Sequence, residues 1–241
     1  MTTGYPLPQP DKAKWTNARV LAVDVSVDAA AAGALLPPPL VVSDPPLATV
    51  FCADYPEGIF GIVYREAAVL IHCSDGDGAA VHCAWIMVDD DTALIQGREL
   101  LGFPKKMADF TWEESGDLVV GTVTRKGVEL MRMEGRVGEA EADPPAVFGR
   151  RFVNAMGSIV AGMQLIDFAP AETYRAASRA DVTVKLASSV WDPGIGELDP
   201  EPVSRGVFAV MDFGGGDGDA PRVKPLDDAG WALAHFLPRS T

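Results

Sequence analysis

Gly97-Arg98-Glu99-Leu100-Leu101-Gly102-Phe103-Pro104-Lys105-Lys106 is the stretch around which the remaining residues are read. Two lysines stand side by side there, directly after a proline, in a largely apolar setting. Only a neutral amine attacks a ketone, and an ordinary lysine, with a pKa of about 10.4, is about one part in 2,500 neutral at pH 7. Bringing such a group near neutrality takes about 4 to 5.5 kcal/mol of bias against the ammonium. A second ammonium about 7 Å away supplies roughly 2.4 kcal/mol at an effective dielectric of 20, so it falls short alone. Burial among apolar side chains supplies the larger part. Neighbours in an extended chain point to opposite faces, so Lys105 can enter a pocket while Lys106 points elsewhere. Pro104 fixes its own φ and biases Phe103 towards an extended conformation, which holds that aim.

The decamer resembles the lysine motif of the acetoacetate decarboxylase family, in which the first lysine of a Pro-Lys-Lys run forms a Schiff base with a keto acid. Acetoacetate decarboxylase is itself a standard instance of a lysine activated by desolvation or by a cationic neighbour. The resemblance implies a cone-shaped β-barrel that assembles into homo-oligomers, with Lys105 as nucleophile and Lys106 tuning its field or position. Tyr64-Arg65-Glu66 resembles the family's Tyr-x-Glu strand, whose glutamate faces the cavity; Tyr64 and Glu66 share a face by alternation. Arg19 stands near the family arginine of the first strand, with a one-residue gap, where it would hold a substrate carboxylate or pair with Glu66. Met87 falls where the apolar wall around the lysine is expected, and Phe103 joins it. Each has a plainer reading: a solvated lysine pair, a solvent-facing glutamate, a surface arginine, a core methionine.

One position departs from the family pattern. Relatives of the decarboxylase type carry a second glutamate fifteen residues before the strand glutamate; here that position is Phe51, with Asp54 and Glu57 the nearest acids. The departure leaves imine chemistry intact and bears on the substrate. Relatives with the same lysine resemble aldolase-dehydratases.

The 241 residues are 48% hydrophobic, enough for a sizeable core, and carry net charge -14 from 34 acidic and 20 basic residues. Such a chain is repelled by phosphate backbones and anionic membranes, so neither nucleic acid nor membrane is expected as a partner. An anionic substrate equally needs a local positive site, which makes the paired lysines more informative. The amino terminus lacks a signal-like apolar core, no stretch approaches a membrane span, and the three cysteines form no close pair, so a cytoplasmic protein is expected. His72-Cys73 and His82-Cys83 flank a turn. Alternation lets each pair offer one side chain per face, so two or three ligands at most converge, short of structural zinc. No metal or cofactor is expected.

Residues 1–14 read as a loose arm and 15–241 as one domain. A strand from Arg19, a helix capped by Asp28, a strand over 47–54, and a hairpin of 60–73 with 80–88 around Ser74–Gly78 come first. Asp91 is expected to cap a helix over 92–101 that ends at Gly102. A three-stranded meander covers 107–136, a break 139–150, then strands 157–168, 173–187 and 204–213, a flexible glycine-rich loop from Gly214, and a short helix near Trp231. The pattern predicts a mainly β (α+β) fold, a closed or nearly closed antiparallel β-barrel with a few short helices. The expected function is a carbon–carbon lyase decarboxylating acetoacetate or a related small β-keto acid through an imine on Lys105. An aldolase-dehydratase or a non-catalytic barrel binding small acidic ligands are the alternatives.

Overall fold

The computed structural model describes residues 14–158, 160, 162–214, 221–226 and 228–240. Of the expected amino-terminal arm, residues 1–13 lie outside the described residues, and Lys14 already opens the first strand; the glycine-rich 215–220 also lies outside. The strands are β1 (Lys14–Ser26), β2 (Val41–Val42), β3 (Leu47–Tyr55), β4 (Tyr64–Asp75), β5 (Gly78–Val88), β6 (Lys105–Met107), β7 (Asp109–Ser115), β8 (Leu118–Arg125), β9 (Val128–Ala140), β10 (Phe152–Ser158), β11 (Gly162–Phe168), β12 (Ala171–Leu186), β13 (Glu201–Pro202), β14 (Gly206–Gly214) and β15 (Arg222–Leu226). Helices α1 (Ala29–Leu35), α2 (Asp91–Leu101) and α3 (Ala229–Ser240) join them.

All these strands belong to one sheet, whose main path runs β15-β11-β10-β5-β4-β3-β1-β14-β12-β9-β8-β7. The ends of that path do not pair, so the sheet is large, curved and open rather than a sealed ring. It nevertheless curls onto itself. A Cβ built on Gly121 of β8 would lie 2.5 Å from Cys52 Sγ of β3, so the two strands touch across the core only because position 121 has no side chain. The run 157–168, expected as a strand, holds the end of β10, a turn and β11, which together with Phe152–Met156 form a hairpin whose turn is flanked by Gly157 and Gly162 at positive φ.

Strand alternation sorts the apolar residues into two clusters, one on each face. Leu21, Val50, Cys52, Val69, Trp85 and Met87 belong to the first; Val20, Phe51, Ala53, Tyr55, Tyr64, Leu70 and Ile86 belong to the second. A sheet covered on both sides explains why β3, β4 and β5 read as nearly continuous hydrophobic runs. Each large side chain so buried contributes roughly 1.5–3 kcal/mol. Among the described residues no helix is long and apolar enough to cross a membrane.

Helix α2 delivers the lysines. Asp90, one residue before the expected cap, accepts a hydrogen bond from the Ala93 amide at 2.9 Å, while Asp91 and Arg98 complement the helix dipole at either end. Gly102, at φ 66°, ends the helix with its amide bonded to the Gly97 carbonyl. The chain then enters β6, parallel to β5, with Lys105 opposite Ile86 and Lys106 opposite Met87.

A buried charge cluster ties two hairpins together at the far end of β4. Arg151 donates to Asp75 at 2.8 and 2.9 Å and to Asp167 at 2.8 Å, and Arg222 also reaches Asp167. The Arg151 hydrogen bonds hold the Asp75 carboxyl down at about 2, against an ordinary 3.8. A depressed carboxyl stabilises the fold fully above its unfolded pKa, and loses that contribution as pH falls through its folded one. Asp75→Asn is therefore expected to cost up to about 2 kcal/mol at pH 6. In urea melts the gap between wild type and variant should shrink between pH 4 and pH 2; a gap constant across that range contradicts the ion-pair account.

Candidate active site

Lys105 and Glu66 meet in the interior. Lys105 Nζ lies 2.6 Å from Glu66 Oε2, and the two residues are 5% and 7% exposed. Adjacent strands set this up: β5 separates β4 from β6, and Glu66 and Lys105 both take the face of the second cluster. Tyr55 donates to Glu66 Oε1 at 3.2 Å, and the Trp15 indole donates to Tyr64 Oη at 2.8 Å. The ammonium sits 5.4 Å from the Tyr64 ring centroid and 5.9 Å from that of Phe103, within cation–π range. Burial, and then the Glu66 charge, push both the Tyr55 and Tyr64 phenols well up, so they stay protonated at neutral pH.

Room for the lysine stem comes from α2. A Cβ built on Gly97 would lie 2.5 Å from Lys105 Cε and 2.6 Å from its Cδ. Arg98, one residue on, donates to the Lys105 carbonyl at 3.1 Å and steadies the strand. Gly97→Ala should leave stability little changed, because alanine gains about 1 kcal/mol of helix propensity against the clash with a flexible stem. Turnover is expected to fall about 100-fold, a loss typical of reacting groups displaced by about 1 Å. Parallel melting and rate measurements check this; an unimpaired rate contradicts the role given to Gly97.

Lys106 turns the opposite way, as alternation predicts. It is buried too, with Nζ donating to Asp192 Oδ1 at 2.7 Å and to the Trp191 carbonyl at 2.9 Å, while Arg125 holds Asp192 Oδ2 at 2.8 Å. Burial lowers its pKa and the Asp192 contacts oppose that effect.

Two expected site residues are placed elsewhere. Arg19 pairs in register with Asp54, whereas Val20 and Ala53 share the register row of Glu66, so Arg19 projects from the other face. It bonds Glu114 there and lies over Phe208. Met87 likewise belongs to the first cluster, beside Lys106, and Ile86 occupies the position opposite Lys105. Parity is the reason in both cases, since a one-residue step reverses the face. His72 and His82 each have other partners. His72 bonds Thr49 and Arg150, whereas His82 bonds the Val153 carbonyl, and they pair with Val81 and Ile71.

Tyr55, Gly97, Trp15 and Asp192 are participants that sequence reading left out. A signal existed for two of them. Glycine inside a helix is unfavourable and marks a need for space, and extending the β3 alternation from Ala53 by two residues places Tyr55 on the Glu66 face.

A family model described as acetoacetate decarboxylase matches residues 3–221. The chain belongs to the acetoacetate decarboxylase family. Acetoacetate decarboxylase 3 of Mesorhizobium japonicum is 32% identical over 91 residues, a match that spans 37% of this chain and 35% of that relative. The crystal structure of acetoacetate decarboxylase from Legionella pneumophila superposes with a TM-score of 0.72 at 16% identity, covering 93% of this chain and 91% of the other. The enduracididine biosynthesis enzyme MppR, complexed with the condensation product of pyruvate and imidazole 4-carboxaldehyde, superposes with a TM-score of 0.71 at 18% identity, covering 88% of each chain. These likenesses establish an acetoacetate decarboxylase-like fold. At position 51 the resemblance implies a glutamate, and the sequence has Phe51. Phe51 is buried there in the second cluster, its ring edge-on to Phe148 at 5.1 Å. Of the nearest acids, Asp54 bonds Arg65, and Glu57 bonds Thr16 and Asn17.

Proposed function

We propose that the protein is a carbon–carbon lyase that forms an imine between Lys105 and a small β-keto acid and releases carbon dioxide. The observation that carries this reading is the buried contact of Lys105 Nζ with Glu66 Oε2 at 2.6 Å. The contact sets a carboxyl directly against the amine in a site shielded from water, where it can act on the lysine without a solvent intermediary.

The chemistry then follows from a single carboxyl. Glu66 takes the ammonium proton, and the freed amine adds to the ketone carbon. Glu66 returns the proton to the departing hydroxyl, which leaves as water, and the resulting iminium stays paired with the carboxylate. Electrons of the bond to the substrate carboxylate move into the iminium and carbon dioxide departs. A solvent proton, relayed by Glu66, reaches the enamine carbon, and water releases the ketone from Lys105. Tyr55, bonded to Glu66 Oε1, orients the carboxyl throughout. Lys106, held by Asp192, positions the strand and does not touch substrate in this reading.

Aldol condensation followed by dehydration is a second reading with the same lysine. It is favoured by Phe51, which puts an aromatic ring where decarboxylase-type relatives carry the second glutamate. Product analysis separates the two. Acetoacetate and longer β-keto acids should give carbon dioxide and a ketone; condensation of pyruvate with an aldehyde, without carbon dioxide release, supports the second. Tight ligand binding with turnover of neither kind would leave only a binding barrel. Assembly as a homo-oligomer belongs to the same proposal, and light scattering reads it directly.

A further inference from the structure

A cavity of about 50 Å³ lies behind Lys106, between α1, α3, β5 and the loop after β12, with His82, Trp85, Lys106, Asp192, Trp231 and His235 among its walls. At about 10–15 Å³ per water-sized position, it holds roughly four heavy atoms. Lys105 does not line it, having turned to the opposite face of β6. Two walls carry unmet hydrogen-bonding demand: the buried indole nitrogens of Trp85 and Trp231 have no partner among the described residues. Trp85 is only 5% exposed. Leaving a buried donor unsatisfied costs about 1–3 kcal/mol, so two together point to something the cavity holds.

The nature of that occupant follows from the donors. Lys106 spends two of its N–H groups on Asp192 and the Trp191 carbonyl. Both Asp192 oxygens are taken, one by Lys106 and the other by Arg125, so that carboxylate offers the cavity little. What remains is one ammonium N–H and two indole N–H groups, which suits a ligand rich in acceptors and poor in donors. Helix α3 closes the roof: His235 bridges the Trp231 and Ala34 carbonyls at 2.9 and 2.8 Å and stacks on the Trp231 ring.

We propose that this cavity is a second binding site, separate from the Lys105 pocket, for a small planar oxyanion of carboxylate or bicarbonate type. The two indole N–H groups hold its oxygens and the Lys106 ammonium balances its charge. The site does not depend on the imine assignment, because its walls exclude Lys105.

Calorimetric titration of the Lys105→Ala protein with sodium acetate, and separately with sodium bicarbonate, against sodium chloride at equal ionic strength, tests this. The expected result is one saturable site per chain for at least one of the two, and which anion binds tells carboxylate from bicarbonate. Trp85→Phe and Trp231→Phe, each removing one hydrogen bond, should weaken it by about 3- to 10-fold. If one of them fails to fold, the other carries the reading. No saturable binding of either anion, meaning that only water fills the cavity, would overturn the proposal, as would unchanged affinity in the folded tryptophan variants. Binding by the wild type that is lost in folded Lys105→Ala protein overturns it too, since the anion would then occupy the reactive pocket.

Discussion

Lys105→Ala is expected to lower turnover by on the order of 10⁴-fold or more, because it removes the proposed nucleophile and with it the covalent route. Stability should fall as well. Glu66, 7% exposed, loses the cation paired with it, and breaking one side of a buried pair costs about 3–5 kcal/mol. The two losses have different origins and can be separated. Lys105→Met with Glu66→Gln leaves no buried charge, so the double variant should be more stable than Lys105→Met alone while remaining inactive. A double-mutant cycle in urea measures that coupling. Equal stability of the single and double variants would mean that Lys105 and Glu66 do not interact as described, and near-normal turnover of Lys105→Ala would remove the imine route.

Glu66→Gln should have the second largest effect, cutting the rate by about 10²- to 10⁴-fold through loss of the proton carrier. Its signature differs from that of the lysine variant. Glutamine keeps the shape and still accepts the Tyr55 hydroxyl, and it also removes the negative charge that favours the ammonium form of Lys105. Imine formation is therefore expected to persist, while steps that need a proton delivered to the substrate slow down. Rapid-quench kinetics reads the two phases separately. A variant that forms no imine yet folds normally would assign Glu66 to activating the amine only; unaltered turnover would remove it from the mechanism.

Much of this site was legible because it is local. The helix before the lysines ends at Gly102, the proline follows, and alternation sends Lys105 and Lys106 to opposite faces, all within ten residues. Glu66 was legible for the same reason, since Tyr64 and Glu66 share a strand face. Arg19 and Met87 were not, because each placement hinges on a single-residue step. In β5 the pairing jumps from Val69↔Trp85 to Leu70↔Cys83, so Ala84 is an extra residue, and such a bulge cannot be read from an apolar run. The turn between β10 and β11 was likewise missed, because it lies within the run 157–168 that reads as a strand. Asp192 lies 86 residues from Lys106, in a loop without regular pattern, and no local rule links them. Whether the sheet seals is likewise set by long-range packing such as Cys52 on Gly121, and of the closed or nearly closed barrel expected, the structure takes the curved, unsealed form.

Location of the covalent adduct bears most directly on the central claim. Protein incubated with acetoacetate, or with a longer β-keto acid, is reduced with borohydride, digested, and the modified peptide sequenced by mass spectrometry. The added mass is predicted on Lys105 and should be absent from the Lys105→Ala protein. An adduct on Lys106, or none with any keto acid that the protein turns over, would contradict it.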